Sequence, residues 1–163
     1  MTISVGDKLP EGKFKTRIDG NIADITTAEI FDGKTVVLFG VPGAFTPTCN
    51  NNHLPGFLDN RDAILARGVD TIAVVAANDV HVMNAWAKST GGEGKILFLA
   101  DGSAEYAKQL GLNIDLTAAG MGMRYTRFAL LAKDGVVTVL NIEDSPGKAE
   151  ASSAAKMLED LGA

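Results

Sequence analysis

The spacing of apolar and polar positions divides the chain into short, well-punctuated elements. Residues 14–18 and 22–25 flank Asp19-Gly20, a favoured turn dipeptide, and read as a β-hairpin at the edge of a larger sheet. Residues 26–31 read as a helical turn closed by Asp32-Gly33. Val36, Val37, Leu38 and Phe39 form a continuous apolar run, which predicts a central strand covered on both faces. Pro42-Gly43 ends that strand. Thr46-Pro47 then opens a helix, with threonine as N-cap and proline preorganised for the first helical position, so Cys49 falls at the third. Pro55-Gly56 predicts a kink. Beyond it Leu54, Phe57, Leu58, Ile64 and Leu65 share one face, and Gly68 is a plausible C-cap. Residues 71–77 read as a second buried strand, completing a βαβ unit with parallel pairing and a right-handed crossover.

After Asn78-Asp79 a helix carries Val80, Val82, Met83, Trp86 and Ala87 and ends at the run Gly91-Gly92-Glu93-Gly94-Lys95. That run is no phosphate loop, because the pattern would need glycine at Ser89 and a hydroxyl at Ile96. Residues 96–99 read as a short strand and 103–110 as a short helix closed by Gly111. Residues 124–132 and 136–142 pair as a hairpin across Lys133-Asp134-Gly135. Residues 148–161 read as an amphipathic helix with Ala151, Ala154, Ala155, Leu158 and Leu161 inward. Together these elements predict an α/β, thioredoxin-like fold: a central mixed β-sheet flanked by helices, with an N-terminal hairpin extension, residues 1–163 forming one domain.

Composition narrows the function more than the fold. The chain has 46% hydrophobic and 21% charged residues, ordinary for a globular protein. A net charge of −5 with no basic patch argues against nucleic acid and anionic membranes as partners. No run approaches the ~20 apolar residues of a membrane span, and the first residues lack the features of a signal peptide. A single cysteine excludes an intrachain disulfide and suits a reducing compartment, so the cytoplasm is the expected location. One cysteine and two histidines give no metal-ligand spacing, and neither metal nor cofactor is expected.

Cys49 is the candidate nucleophile. The first turn of a helix offers unpartnered N–H groups and the positive end of the macrodipole, both of which favour thiolate over thiol. The Thr46 hydroxyl can accept from the helix backbone and still donate toward Cys49 or a substrate. The plainer reading makes Cys49 a packing residue and Thr46 a simple cap. Its position at a strand–turn–helix junction argues for chemistry instead. His53 lies one helical turn beyond; a thiol ionised by its surroundings needs no base, so His53 reads as packing or hydrogen bonding around the site. His81 reads as a surface residue. Arg127 lies in an apolar stretch and must be paired or reach solvent. Taken alone, that context favours pairing with a carboxylate.

The string Val41-Pro42-Gly43-Ala44-Phe45-Thr46-Pro47-Thr48-Cys49, followed by His53-Leu54-Pro55-Gly56-Phe57, resembles the active-site region of the peroxiredoxins, the thiol-dependent peroxidases. Within that family it is most similar to the type II or peroxiredoxin-5-like subgroup, and the likeness runs over almost the whole chain. The resemblance implies a thioredoxin-like fold and four site residues. Cys49 would attack peroxide, Thr46 would bond thiolate and peroxide, Pro42 would shield the sulfur, and Arg127 would complete the substrate site, with Arg124 in support. Many relatives carry a second, resolving cysteine. The matching positions here are Val74 and the stretch Ala151-Ser152-Ser153-Ala154, so the resemblance implies a one-cysteine enzyme recycled by an outside thiol. Glutathione with glutaredoxin is the first expectation for that reductant and thioredoxin the second. The substrates would be hydrogen peroxide and organic hydroperoxides, the role antioxidant defence, and the assembly a homodimer. A non-turnover redox sensor and a degenerate interaction module with a vestigial cysteine are the competing readings from other classes.

Overall fold

In the computed structural model, which describes residues 1–162, the elements follow the predicted order with three informative departures. In chain order they are β1 (Lys13–Ile18), β2 (Asn21–Thr26), α1 (Thr27–Phe31), β3 (Thr35–Gly40), a π-helical turn (Cys49–His53), α2 (Leu54–Asp59), α3 (Arg61–Leu65), β4 (Thr71–Ala76), α4 (Val80–Thr90), β5 (Leu97–Ala100), α5 (Glu105–Leu110), β6 (Asn113–Leu116), a 3₁₀ turn (Thr117–Ala119), β7 (Gly122–Tyr125), β8 (Phe128–Lys133), β9 (Val136–Ile142) and α6 (Ala154–Asp160). Seven strands form one mixed sheet in the order β2-β1-β5-β4-β3-β8-β9, and β6 and β7 make a separate ribbon. β3, β4 and β5 are parallel, while the other neighbours in the large sheet pair antiparallel.

The continuous apolar run of β3 is explained by two cores, one on each side of the sheet. Val37 and Phe39 join Phe57, Val74, Trp86 and Met157 on one face; Val36 and Leu38 join Phe14, Tyr106, Leu110 and Val75 on the other. All four β3 side chains are fully buried. Each contributes roughly 1.5–3 kcal/mol of hydrophobic stabilisation, which makes β3 a rigid base for the loop that follows it. Gly40, the last residue of the strand, leaves room for its partner, since a Cβ there would lie 2.1 Å from the Phe128 ring.

The first departure follows Cys49. Instead of an α-helix kinked at Pro55, residues 49–53 form a wider π turn, closed by the Leu54 N–H bonding the Cys49 carbonyl. Proline lacks an N–H and its ring would strike the carbonyl four residues earlier, so the helix widens before Pro55 and resumes as α2. The second departure splits the predicted strand 124–132. Arg124 lies in β7, paired with β6, whereas β8 pairs with β3; Arg127 sits in the break where the chain changes partners. The third shortens the predicted helix 148–161. α6 begins only at Ala154, where the Ser153 side chain accepts from the Lys156 N–H. Ala155 is exposed rather than inward, and Met157 takes the core position.

Candidate active site

The site forms where the loop after β3, the π turn, the β7–β8 break and the loop after β9 converge. Cys49 and Arg127 are both buried, as are Pro42 and His53. Arg127 Nη2 donates to Cys49 Sγ at 3.0 Å. Its Nη1 bonds His53 Nδ1 at 2.9 Å, and its Nε and Nη2 donate to the Pro146 carbonyl at 3.2 and 3.0 Å. A guanidinium has five N–H groups in a fixed fork. Four are engaged in these bonds, which leaves one on Nη1 for an incoming oxygen.

His53 is neutral for a structural reason. Burial first, and the Arg127 charge after it, hold its pKa down at about 3, outweighing the opposing bond to Ser152. With the Ser152 carbonyl 2.8 Å from Nε2, that nitrogen carries the proton and Nδ1 offers its lone pair to Arg127. The ring therefore orients the guanidinium and does not serve as a base for the thiol, in keeping with its reading as a hydrogen-bonding neighbour. Its other contacts are aromatic, with Phe39 and Phe57.

Thr46 requires a correction. Helical geometry begins at Pro47, so Thr46 holds the expected N-cap position, and its carbonyl accepts from the Asn50 N–H at 2.8 Å. Its hydroxyl, however, donates to the Gly43 carbonyl at 2.7 Å and neither caps the helix nor bonds Cys49. The tight turn over 43–46, with Phe45 at φ 65°, folds that carbonyl back onto the hydroxyl. A hydroxyl has one proton, so Thr46 can offer only lone pairs to a ligand. A positive φ is unusual for a bulky residue, and this one lies directly beside the site.

Several further residues support the site, most of them not singled out in the sequence. Asn78, two residues past the end of β4, accepts the Ala44 N–H at 2.9 Å and fastens the turn. Arg124 donates to the Pro42 carbonyl at 3.2 Å, so it holds the loop and does not touch the thiol. Trp86 Nε1 donates to Asn50 beside the cysteine. Asp101 accepts from the Tyr125 hydroxyl at 2.7 Å and from the first N–H groups of α5, which anchors the chain two residues before Arg127. Burial, with Asp101 adding to it, drives the Tyr125 pKa well above its ordinary value, so it stays a donor. Of these, the family resemblance names Arg124 in support, while Asn78-Asp79 carries a sequence signal only for a helix start. Among the described residues no group of His, Cys, Asp or Glu could hold a metal ion, and no helix is long and apolar enough to cross a membrane.

The chain resembles known proteins in sequence and fold. Residues 4–158 match the Redoxin family model. The chain is 48% identical to the chloroplastic peroxiredoxin-2E-2 of Oryza sativa subsp. japonica over 98% of its own length and 73% of the relative's. It superposes with a TM-score of 0.93 on the crystal structure of reduced Prx3 in complex with hydrogen peroxide from Vibrio vulnificus, 43% identical, covering 98% of this chain and 99% of that one. The antioxidant protein of Plasmodium falciparum, a 1-Cys peroxiredoxin, is 26% identical with a TM-score of 0.89, over 98% of this chain and 99% of that one.

Proposed function

The chain belongs to the redoxin family, among its type II, peroxiredoxin-5-like peroxiredoxins, and on that premise we propose that its thiol peroxidase activity turns on Cys49, Thr46, Arg127 and Pro42. The observation that carries the assignment is the Arg127 Nη2 donation to Cys49 Sγ at 3.0 Å inside a buried site. A guanidinium held there stabilises a sulfur anion, and the thiolate is the reactive form of cysteine.

In the proposed reaction the Cys49 thiolate attacks one oxygen of the peroxide. The S–O bond forms as the O–O bond breaks, and the leaving oxygen takes a proton from solvent and departs as water or an alcohol. Thr46 accepts a hydrogen bond from the peroxide through its lone pairs, and the uncommitted Nη1 N–H of Arg127 stabilises charge on the separating oxygens. Pro42 shields the sulfur. Cys49 becomes a sulfenic acid; one thiol condenses with it to a mixed disulfide and water, and a second releases the Cys49 thiol and a disulfide.

With Cys49 the only cysteine in the chain, the thiols come from outside. Glutathione with glutaredoxin is the reductant we favour and thioredoxin the second choice, acting in the cytoplasm on hydrogen peroxide and organic hydroperoxides. The active unit we favour is a homodimer of single-domain chains packed near the site, where Phe45 and Met123 leave apolar surface exposed.

The test is rapid-mixing oxidation of the reduced protein by limiting hydrogen peroxide, read by Trp86 fluorescence, followed by turnover with each reductant. Oxidation far faster than free cysteine, lost in Cys49→Ser, is the expected result. A rate like that of free cysteine would overturn the assignment. Fast oxidation without turnover by any thiol would make the chain a sensor.

A further inference from the structure

The loop after β9 ties a second buried carboxylate to the site without touching the thiol. The Glu143 N–H donates to the Arg127 carbonyl at 2.9 Å, extending the β8–β9 ladder one residue beyond the Phe128–Ile142 pair. Glu143 thus leaves the sheet directly beside Arg127. Its side chain, 6% exposed, takes two bonds from Ser152, the backbone N–H at 2.7 Å and the hydroxyl at 2.6 Å. Ser152 is itself fully buried, and its carbonyl faces His53 Nε2. Between these two residues the loop supplies the Pro146 carbonyl that holds Arg127. A buried carboxylate is costly unless satisfied, and this one holds a loop that also supplies a carbonyl to the arginine and another to His53.

We propose that Glu143 is a positioning residue for the peroxide reaction: by clamping Ser152 it fixes the tautomer of His53, and through that ring it aims the Arg127 guanidinium at Cys49. The chain of contacts runs from Glu143 to Ser152, His53, Arg127 and the sulfur. Each link has a defined direction of donation. Ser152 donates to the carboxylate, and its carbonyl accepts from His53 Nε2–H. Nδ1 then accepts from Arg127, and Arg127 donates to sulfur. Releasing Ser152 would free the ring to flip or to change tautomer. An Nδ1–H would oppose the Arg127 N–H donor to donor. The guanidinium would swing away, and displacement of a catalytic group by about 1 Å can cost up to two orders of magnitude in rate. The sequence does not reveal this role, because Ser152 lies in the stretch matched to the resolving cysteine of relatives and Glu143 lies just beyond the predicted strand 136–142.

This inference rests on the peroxidase reading, so its experiment carries one readout of rate and one independent of rate. The rate of oxidation by hydrogen peroxide would be compared in the wild type, Glu143→Gln, Arg127→Ala and the double variant. ¹⁵N NMR of the His53 ring would report its tautomer, and thermal melts would report folding. The expected result is an Nε2–H ring in the wild type. Glu143→Gln should give a mixed tautomer and oxidise about ten-fold more slowly while still folding. The double variant should be no slower than Arg127→Ala alone, since both act through one group.

An unchanged tautomer or rate in Glu143→Gln would overturn the proposal. So would an undiminished effect on top of Arg127→Ala, which is the mark of a merely structural role. If Glu143→Gln does not fold, Ser152→Ala, which keeps the backbone bond to Glu143, carries the same comparison with an expected loss of about three-fold. If the wild type oxidises no faster than free cysteine, the peroxidase reading fails, and the His53 tautomer alone decides the clamp.

Discussion

Two concavities lie at opposite ends of the parallel strands, and the proposed chemistry lies beside the smaller one. Beyond the C-terminal end of β3, a cavity of about 40 Å³ lined by Pro42, Thr126, Arg127, Glu143, Ser145 and Pro146 adjoins the guanidinium. At the N-terminal ends of β4 and β5, a cavity of about 530 Å³ is bordered by Arg61, Ile72, Met83, Lys88, Lys95 and Phe98. The larger has the size of a ligand pocket. Yet its buried hydroxyl, on Thr16, already donates to the Phe98 carbonyl. Arg61 Nε is tied to the Lys95 carbonyl, and Lys88 and Lys95 lie in solvent. In the smaller region a charged side chain is buried and held by named partners on almost every donor. Volume follows from how helices happen to meet a sheet edge. Reactivity follows from oriented polar groups shielded from water, and a substrate as small as a peroxide needs little room.

Breaking the small site should have the largest effect. Arg127→Ala should slow oxidation by hydrogen peroxide about 10²- to 10³-fold, the range for removing an oriented donor from a reacting oxygen. Arg127→Lys should recover only part of it, because a point charge cannot reach sulfur, His53 and Pro146 together. Stopped-flow rates of both variants check this, and equal rates for wild type and Arg127→Ala would erase the contrast between the two regions. Thr46→Val removes the lone pairs and the bond to Gly43 at nearly constant volume. It should lower the rate about ten-fold with a melting temperature within a few degrees of the wild type, the hydrogen bond contributing about 1 kcal/mol.

A third prediction concerns pH. His53 titrates near 6.5 in the unfolded chain and at about 3 in the folded one. Between those values the unfolded state binds a proton that the native state refuses. The stability this residue leaves intact above pH 6.5 is therefore lost as pH falls toward 3, by up to about 1.4 kcal/mol per unit. Denaturant melts of the wild type and His53→Gln across pH 4–8 should differ in slope in that window. Parallel curves would mean that His53 is not held neutral by the site. The smallest effect belongs to the large cavity. Lys88→Ala and Lys95→Ala should leave the peroxide rate within about two-fold of the wild type, surface charges at that distance being screened; a loss comparable to Thr46→Val would show that the two ends are coupled.

Much of this architecture is written in local pattern. The β3 run, the Asp19-Gly20 and Asp134-Gly135 turns, the Asp79 cap and the Thr46-Pro47 helix start each depend on residues close in sequence, where backbone preferences act directly. The resemblance carried by the stretch from Pro42 to Cys49 pointed to the family for the same reason, since the motif is contiguous. What escaped was the π turn, where Pro55 acts four residues upstream, and the break before Arg127, where the chain exchanges one strand partner for another. The β6–β7 ribbon escaped too, its strands being four residues each and half exposed.

The sequence by itself determined that a lone cysteine would follow a buried strand at the start of a helix. It also determined that no second thiol stood at either matching position. Only the tertiary structure decided where the protons lie. Thr46 gives its proton to Gly43, His53 gives its own to Ser152, and Arg127 divides its donors among sulfur, imidazole and a loop carbonyl. Those bonds join residues up to 99 positions apart. Hydrogen bonding is directional and effective only within about 3 Å, so its partners are fixed by how the strands and loops assemble and leave no periodic trace along the chain.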